Sequence, residues 1–166
     1  MSTSGIMVLA LTKRAQKHIQ QQFVNRTIKK RYMAILEGDI EKRLGKKEGE
    51  INLPLRGDFD DKPKQLVCFE QGKKAKTHWE VIDVVEGKSK LYLYPESGRT
   101  HQLRVHCAHP LGLNLPILGD DLYGENHHYS GTDKKAYQRL HLHAEMLTLI
   151  HPITKEVMTF QVGTNF

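Results

Sequence analysis

The sequence predicts an α+β fold built on a mixed, mainly antiparallel sheet with flanking helices. Strand-like patterns outnumber helical ones, the connections between them are short, and no strand–helix–strand rhythm recurs. The 166 residues contain no internal repeat and no low-complexity stretch. We therefore expect residues 1–166 to form one domain that is large enough to bury a substantial core.

The chain begins with four small residues after Met1 and then an apolar run, IMVLAL, over residues 6–11. Such a run predicts a strand buried on both faces, with a tight turn over residues 2–5 in front of it. A signal peptide is not indicated, because no basic residue precedes the run and Lys13 follows it closely. Either a short N-terminus enters an edge strand here, or the sequence starts inside a longer motif.

The first helix is predicted from Thr12 to Asn25. Thr12 is a favourable N-cap, and Ala15, Ile19 and Phe23 recur every four residues to give one apolar face. The opposite face is basic and rich in glutamine.

The rest of the chain is predicted to consist mainly of strands. The clearest hairpin signal is Glu86-Gly87-Lys88, between two alternating runs. A short helix over residues 101–109 is predicted, capped by Thr100 and ended by Pro110. Residues 42–49, 56–64 and 111–130 are predicted loops, and the predicted strands are 29–38, 50–55, 65–70, 76–85, 89–95, 140–151 and 156–162.

The composition favours a polyanionic partner. The net charge is +6 and the pI is about 9.3, which points first to nucleic acid and second to an anionic membrane, although ordinary solvated lysines account for the charge equally well. No stretch approaches the roughly 20 apolar residues of a membrane span. Cys68 and Cys107 are too few for a disulfide framework, which predicts a reducing, cytoplasmic compartment.

Metal and triad chemistry are not indicated. The ten histidines include the pair His141 and His143, but no His-Glu-x-x-His spacing occurs, and no metal site is predicted. Gly-x-Ser-x-Gly is absent, and the adjacent His106 and Cys107 do not form a plausible nucleophilic pair, because a thiol in such a place is more often a core or surface residue. A metal hydrolase is therefore the least favoured hypothesis for the function of this chain.

Two basic clusters remain as candidate sites. In KKRY, Lys30 and Arg31 could hold phosphates while Tyr32 offers a ring for stacking on a base; the alternative is a core tyrosine beside solvated lysines. In SGRTHQLRVH, residues 97–106, Arg99 sits at a glycine turn where its guanidinium could pair with a phosphate or a carboxylate. The alternative is an exposed basic helix.

These clusters belong to a set of motifs that resembles the RluA-type pseudouridine synthases. SGRTHQLRVH and PILGDDLYG are similar to that family's signature, STSGIMVLALTKRA to its nucleophile motif and KKRYMAILEG to its Lys-x-Tyr motif. The similarity continues in order through NLPLRGDFDDKPKQLVCFEQGKKAKTHWEVI and LHAEMLTLIHPITKEVMTF, and so covers nearly the whole chain. The resemblance implies the pseudouridine synthase catalytic fold with its N-terminal strands missing.

The resemblance also implies the chemistry. In the family, the nucleophile motif reads His-Arg-Leu-Asp, a variable pair, then Thr-Ser-Gly, which corresponds to Thr3, Ser4 and Gly5 here. The catalytic aspartate would precede Met1, so we expect an N-terminally truncated and inactive chain. The resemblance makes Arg99 the residue that orients this carboxylate and Tyr32 the ring against the base, with no metal and no cofactor.

The implied partner is structured RNA, either rRNA or a tRNA stem-loop or both, and no membrane. The implied substrate-binding residues are Lys30, Arg31, His101, Gln102 and Arg104. In the family, the segment with Asp120 and Asp121 supports the fold, and we do not expect either residue to replace the nucleophile. Truncation would also expose apolar surface and favour self-association. The alternative function is a non-catalytic RNA-binding module.

Overall fold

The computed structural model describes residues 3–124, 139–164 and 166. Within them, nine strands and three helices confirm the predicted α+β class. In chain order the elements are β1 (Ser4–Gly5), α1 (Lys13–Val24), β2 (Lys29–Ile35), α2 (Ile40–Leu44), β3 (Glu48–Asn52), β4 (Leu55–Gly57), β5 (Gln65–Val67), β6 (Lys76–Val85), β7 (Lys88–Pro95), α3 (Gln102–Ala108), β8 (Leu142–Ile150) and β9 (Val157–Gln161).

Seven of these strands form one mixed sheet. Its order is β1-β8-β2-β7-β6-β3, and β9 also pairs with β8. Only the β1–β8 pair is parallel, while the other pairs are antiparallel. Strands β4 and β5 form a separate two-stranded hairpin. The mainly antiparallel character predicted from the short connections is confirmed.

The apolar N-terminal run does not form the predicted strand. In this part of the chain only Ser4–Gly5 pairs with β8 as a strand. The Ile6 N–H donates to the carbonyl of Ala144 at 2.9 Å, and residues 6–10 belong to no strand. Ile6 and Val8 pack against a small core cluster, whereas Met7, Leu9 and Leu11 are 62%, 76% and 96% exposed. The run is therefore covered on one face only. The predicted turn is also wrong where it is described, because Ser4 and Gly5 form β1; Ser2 lies outside the described residues.

The first helix has the predicted caps, but its predicted apolar face is only partly covered, because Phe23 is exposed and Gln22 is buried instead. The side chain of Thr12 accepts a hydrogen bond from the N–H of Ala15 at 3.2 Å, and Asn25 is the C-cap. The buried side chain of Gln22 donates to the carbonyl of Ile150 and accepts from its N–H, both at 2.8 Å. These two bonds fasten α1 to the end of β8.

Two short helices differ from the sequence prediction. Residues 42–49 were expected to be a loop, but Asp39 caps α2 because its side chain accepts from the N–H of Lys42 and the buried Ile40 anchors the turn. Helix α3 is capped by His101 rather than Thr100. His101 has a left-handed backbone with φ of 52° and makes no side-chain capping bond.

The β6–β7 hairpin forms at the predicted residues. Glu86 and Gly87 have φ of 52° and 73°, which suits the right-handed twist of the two strands. Residues 111–124 form the predicted loop without a helix or strand, and the rest of that prediction, 125–130, lies outside the described residues.

The main core lies between the sheet, α3 and the loop that follows it. Leu91 and Leu93 of β7 and Leu36, which directly follows β2, are fully buried. They pack with Leu103 and Cys107 of α3 in one cluster. This packing fixes α3 against the sheet and so positions the residues at its N-terminus.

Candidate active-site cleft

A cleft of about 680 Å³ lies between the edge of the sheet and the N-terminus of α3. Its volume falls in the range of about 300–1,000 Å³ that is typical of small-ligand sites. The two basic clusters singled out from the sequence meet here, although about 70 residues separate them. Residues that line the cleft include Thr3, Ser4, Lys30, Tyr32, Arg99 and His101.

Tyr32 enters the cleft from the middle of the sheet. It lies on β2, where it pairs with Leu93 of β7 and Ala144 of β8. Burial raises the pKa of its hydroxyl above the usual value. The phenol is therefore uncharged at neutral pH and presents an aromatic surface inside the cleft.

Lys30 projects into the same cleft because residues two apart on a strand share a face. Its ammonium donates to the carbonyl of Ser97 at 3.2 Å. Burial lowers the pKa of Lys30. The bond connects β2 to the turn that carries Arg99.

Arg31 lies outside this cleft lining. At this point Arg31 pairs with Met146 and Tyr32 with Ala144, so Glu145 is the extra residue of a bulge. The Arg31 Nε donates to Glu145 Oε2 at 2.7 Å, and its guanidinium lies 4.4 Å from the centre of the Tyr92 ring. Arg31, one of the predicted substrate-binding residues, thus already contacts a carboxylate and an aromatic ring of the protein.

Arg99 lies in the turn between β7 and α3. Its backbone N–H donates to the side-chain oxygen of Gln102 at 3.1 Å, and its Nε donates to the carbonyl of Lys74 at 3.2 Å. Because the guanidinium group is planar and rigid, holding it at the cleft wall fixes the direction in which it can bind an anion.

The side chain of Gln102 holds this turn in place through hydrogen bonds. Its side-chain oxygen also accepts from the hydroxyl of Ser97 at 2.8 Å, and its amide nitrogen donates to Lys76 O at 2.9 Å and Thr77 Oγ1 at 3.0 Å. The residue is 3% exposed. Both donors and both acceptor positions of the amide are engaged by the chain itself, so Gln102 joins α3 to β6.

Arg104 is also engaged within the protein. Its guanidinium makes a two-bond pair with Asp120, at 2.9 and 2.5 Å, and contacts Asp121 at 2.6 Å. The Asp120 side chain is completely buried, whereas that of Asp121 is 71% exposed. Asp120 additionally accepts from the backbone N–H groups of Leu122 and Tyr123. The pair holds the loop after Ile117 against α3.

His101 is connected to the β4–β5 hairpin through Tyr123. Its Nδ1 lies 2.9 Å from the Tyr123 hydroxyl, which accepts from the N–H of Gln65 at 2.8 Å. Burial and the nearby charge of Arg104 lower the pKa of His101. The imidazole is therefore neutral at pH 7. Sequence reasoning did not single out Tyr123, and its position within GDDLYG was the only signal available.

The first residues of the described chain close one side of the cleft. Gly5 has φ of 104°, and a Cβ there would collide with the carbonyl oxygen of Ala144. The Ser4 hydroxyl lies 2.9 Å from Nδ1 of His143 and accepts from Arg139 at 2.9 Å. Gly5 thus permits β1 to approach β8 closely.

Carboxylates are scarce in the cleft. Among the described residues that line it, only Asp121 carries one, and that group is paired with Arg104. The described part of the chain contains no cluster of three or more histidine, cysteine, aspartate or glutamate residues able to hold a metal ion. It also contains no helix that is long and apolar enough to cross a membrane.

The fold is α+β and carries a basic cleft that contains Tyr32, and comparison with known proteins gives the family. A family model described as RNA pseudouridylate synthase matches residues 1–109. The chain is 44% identical over 167 residues to the dual-specificity RNA pseudouridine synthase RluA of Haemophilus ducreyi and 42% identical to that of Escherichia coli K12, and it spans 71% of the length of each.

A solved structure shows the same fold. The human RNA pseudouridylate synthase domain containing 1 superposes with a TM-score of 0.77 at 31% identity, covering 99% of this chain and 66% of that one. The chain belongs to the RluA-type family of RNA pseudouridine synthases, an isomerase family. The family predicted from the sequence motifs is confirmed.

Proposed function

We propose that this protein contributes the catalytic cleft of an RNA pseudouridine synthase that isomerises uridine to pseudouridine in structured RNA. The observation that carries the proposal is the meeting of Tyr32 and Arg99 in one cleft with a basic rim. Family membership supplies the reaction class. The geometry is compatible with a pocket that holds a single extruded base.

The reaction requires the bond between ribose C1′ and uracil N1 to break and a bond between C1′ and C5 to form. The proton on C5 is then released, and N1 gains one. A carboxylate nucleophile can hold the intermediate between these steps. The target uridine must first leave its stack and enter the cleft, as in other enzymes that act on a base.

In this proposal Arg99 pairs with the nucleophilic carboxylate and orients it, and the neutral ring of Tyr32 lies against the base. Lys30 and His101, which line the cleft, contact the RNA. Gln102 and Arg104 also line the cleft as proposed substrate-binding residues, and they hold the turn and loop that surround it. Arg31, also implied as a substrate-binding residue by the resemblance, would act indirectly through its bond to Glu145.

The nucleophile is proposed to come from the segment on the N-terminal side of β1. Thr3, Ser4 and Arg99 all line the cleft, which supports this origin of the nucleophile. The carboxylate of Asp121 is already paired with Arg104. Since no unpaired carboxylate is found among the described residues that line the cleft, we expect the 166 residues alone to be inactive, and no metal or cofactor enters the proposed reaction.

The proposed substrates are rRNA, a tRNA stem-loop or both, as the motif resemblance implies; the matched bacterial relatives are named dual-specificity RNA pseudouridine synthases. The proposed site of action is the cytoplasm. The exposed side chains of Met7, Leu9 and Leu11 favour self-association. A non-catalytic RNA-binding module is the second candidate function, because the basic cleft does not depend on a nucleophile.

A paired assay distinguishes these functions. The 166-residue chain and a version extended by His-Arg-Leu-Asp and its natural upstream segment are incubated with rRNA and tRNA transcripts tritiated at uridine C5. The proposal predicts tritium release by the extended chain only. RNA binding by both chains without release from either would favour the binding module. Release by the 166-residue chain itself would mean that another residue supplies the nucleophile.

A further inference from the structure

We propose that α1 and the beginning of β2 form the surface that grips the RNA backbone next to the target uridine; this inference rests on the proposed function and extends it. Seven of the 25 basic residues lie within residues 13–31, and the first of the 19 acidic residues is Glu37. The remaining chain carries 18 basic and 19 acidic residues. The net positive charge of the protein is therefore concentrated in this one segment.

The helix presents part of this charge on a single exposed stripe. Lys13, Lys17, Gln20 and Val24 are three or four residues apart and so lie on one face of α1. All four are exposed. The opposite side contains Ile19, which packs against the core, and the buried Gln22. The stripe is thus oriented away from the protein.

This stripe leads to a groove that is continuous with the cleft. The groove has a volume of about 470 Å³ and lies between the end of α1 with the residues that follow it, including Phe23 and Arg26, and residues 96–99. The carboxylate of Glu96 in this lining contacts Lys76 and His78. Lys30 and Arg99 line both the groove and the cleft. A strand whose uridine occupies the cleft would therefore pass directly along α1.

The basic groups along this path are available for phosphates. Within the described residues, none of Lys13, Arg14, Lys17, Arg26 or Lys29 forms an ion pair. Unpaired lysine and arginine side chains that neutralise phosphates release counterions, which makes binding salt-dependent.

The groove also offers an aromatic face. Phe23 is 43% exposed, and the Lys30 ammonium lies 6.0 Å from the centre of its ring. Aromatic rings beside a basic groove are typical of single-stranded RNA surfaces, where bases stack on them. An anionic membrane would also attract a basic helix, but it does not account for a groove that opens into the cleft. RNA is therefore the favoured occupant.

The test compares two double variants of the full chain that remove the same charge. Lys13→Gln/Lys17→Gln neutralises the stripe. The control, Lys46→Gln/Lys47→Gln, acts just before β3, at the opposite edge of the sheet from β1. Binding to a tRNA anticodon stem-loop transcript is measured between 50 and 300 mM salt, with thermal melting to verify the fold and binding to phosphatidylserine vesicles as a second arm.

We expect the α1 variant to bind RNA about tenfold more weakly at low salt, with the slope of log K against log salt reduced by about 2. The control should change affinity less than twofold. Equal losses in both variants would overturn the inference and leave the proposed function standing. A loss confined to vesicle binding would overturn it in favour of a membrane, and no RNA binding by the unsubstituted chain would remove the proposed function as well.

Discussion

The carboxamide oxygen of Gln102 accepts a hydrogen bond from the backbone N–H of Arg99 at 3.1 Å. The same carboxamide bonds to Ser97, Lys76 and Thr77. One buried side chain thus determines where the turn with Arg99 lies relative to β6. The position of the guanidinium in the cleft depends on a residue that need not touch the substrate.

We predict that Gln102→Leu lowers the free energy of unfolding by about 2–3 kcal/mol, because it leaves several buried polar groups without partners. Urea denaturation measures this change. Gln16→Leu, on the exposed surface of α1, is the control and should alter stability by less than about 0.5 kcal/mol. Similar values for the two variants would show that the Gln102 bonds do not stabilise the turn.

The two aspartates that contact Arg104 should differ strongly in their contribution to stability. Asp120→Asn breaks a pair in which the carboxylate is fully buried and should cost about 3–5 kcal/mol. Asp121→Asn affects a carboxylate that is 71% exposed and should cost less than about 1 kcal/mol. Chemical denaturation of both variants measures the difference, and equal costs would contradict the assigned role of Asp120.

Stability should fall in mild acid because of His106. The residue is fully buried, and its nitrogens lie 3.0 Å from Thr77 Oγ1 and 3.1 Å from Leu53 O. Burial lowers its pKa from 6.5 to about 4. Below pH 6.5 the imidazole of His106 takes up a proton in the unfolded chain but not in the folded chain. The contribution of the neutral, buried imidazole to the free energy of unfolding is therefore fully present above pH 6.5 and is lost as the pH falls towards 4.

For His106 alone this loss amounts to about 3 kcal/mol over that pH range. Urea denaturation at pH 7.5, 6.0, 5.0 and 4.5 measures it. His106→Gln removes the titrating group and should give a flatter dependence on pH. An unchanged dependence in this variant would mean that other groups account for the acid sensitivity.

The helices and strands that were predicted correctly are those with strong local signals. Thr12 and Asn25 delimit α1 through their own hydrogen bonds, and Glu86-Gly87 supplies the positive φ angles that the hairpin needs. The strand predicted over residues 6–11 does not form. A strand that is buried on both faces needs neighbouring elements on each side, and no local sequence pattern specifies them. In the structure, that segment is covered on one side only.

Residues that line the cleft could be predicted from the sequence, but the contacts that hold them in place could not. Tyr32 and Arg99 were singled out by motif, and both line the cleft. The engagement of Gln102 with Lys76 and Thr77, and of Arg104 with Asp120, depends on contacts between residues 16 to 26 positions apart. Spacing along the chain does not reveal such contacts. Both residues also line the cleft, and their role in substrate binding stays a prediction.

The most direct test of the proposed active site is the effect of Arg99→Lys on tritium release from uridine C5 by the extended chain. Lysine keeps the charge but not the rigid fork, so we predict a rate at saturating RNA that is reduced at least about 100-fold. RNA affinity should remain within threefold. Arg43→Lys in α2 is the matched control and should leave the rate unchanged. An undiminished rate with Arg99→Lys would contradict the assignment of this cleft as the site of isomerisation.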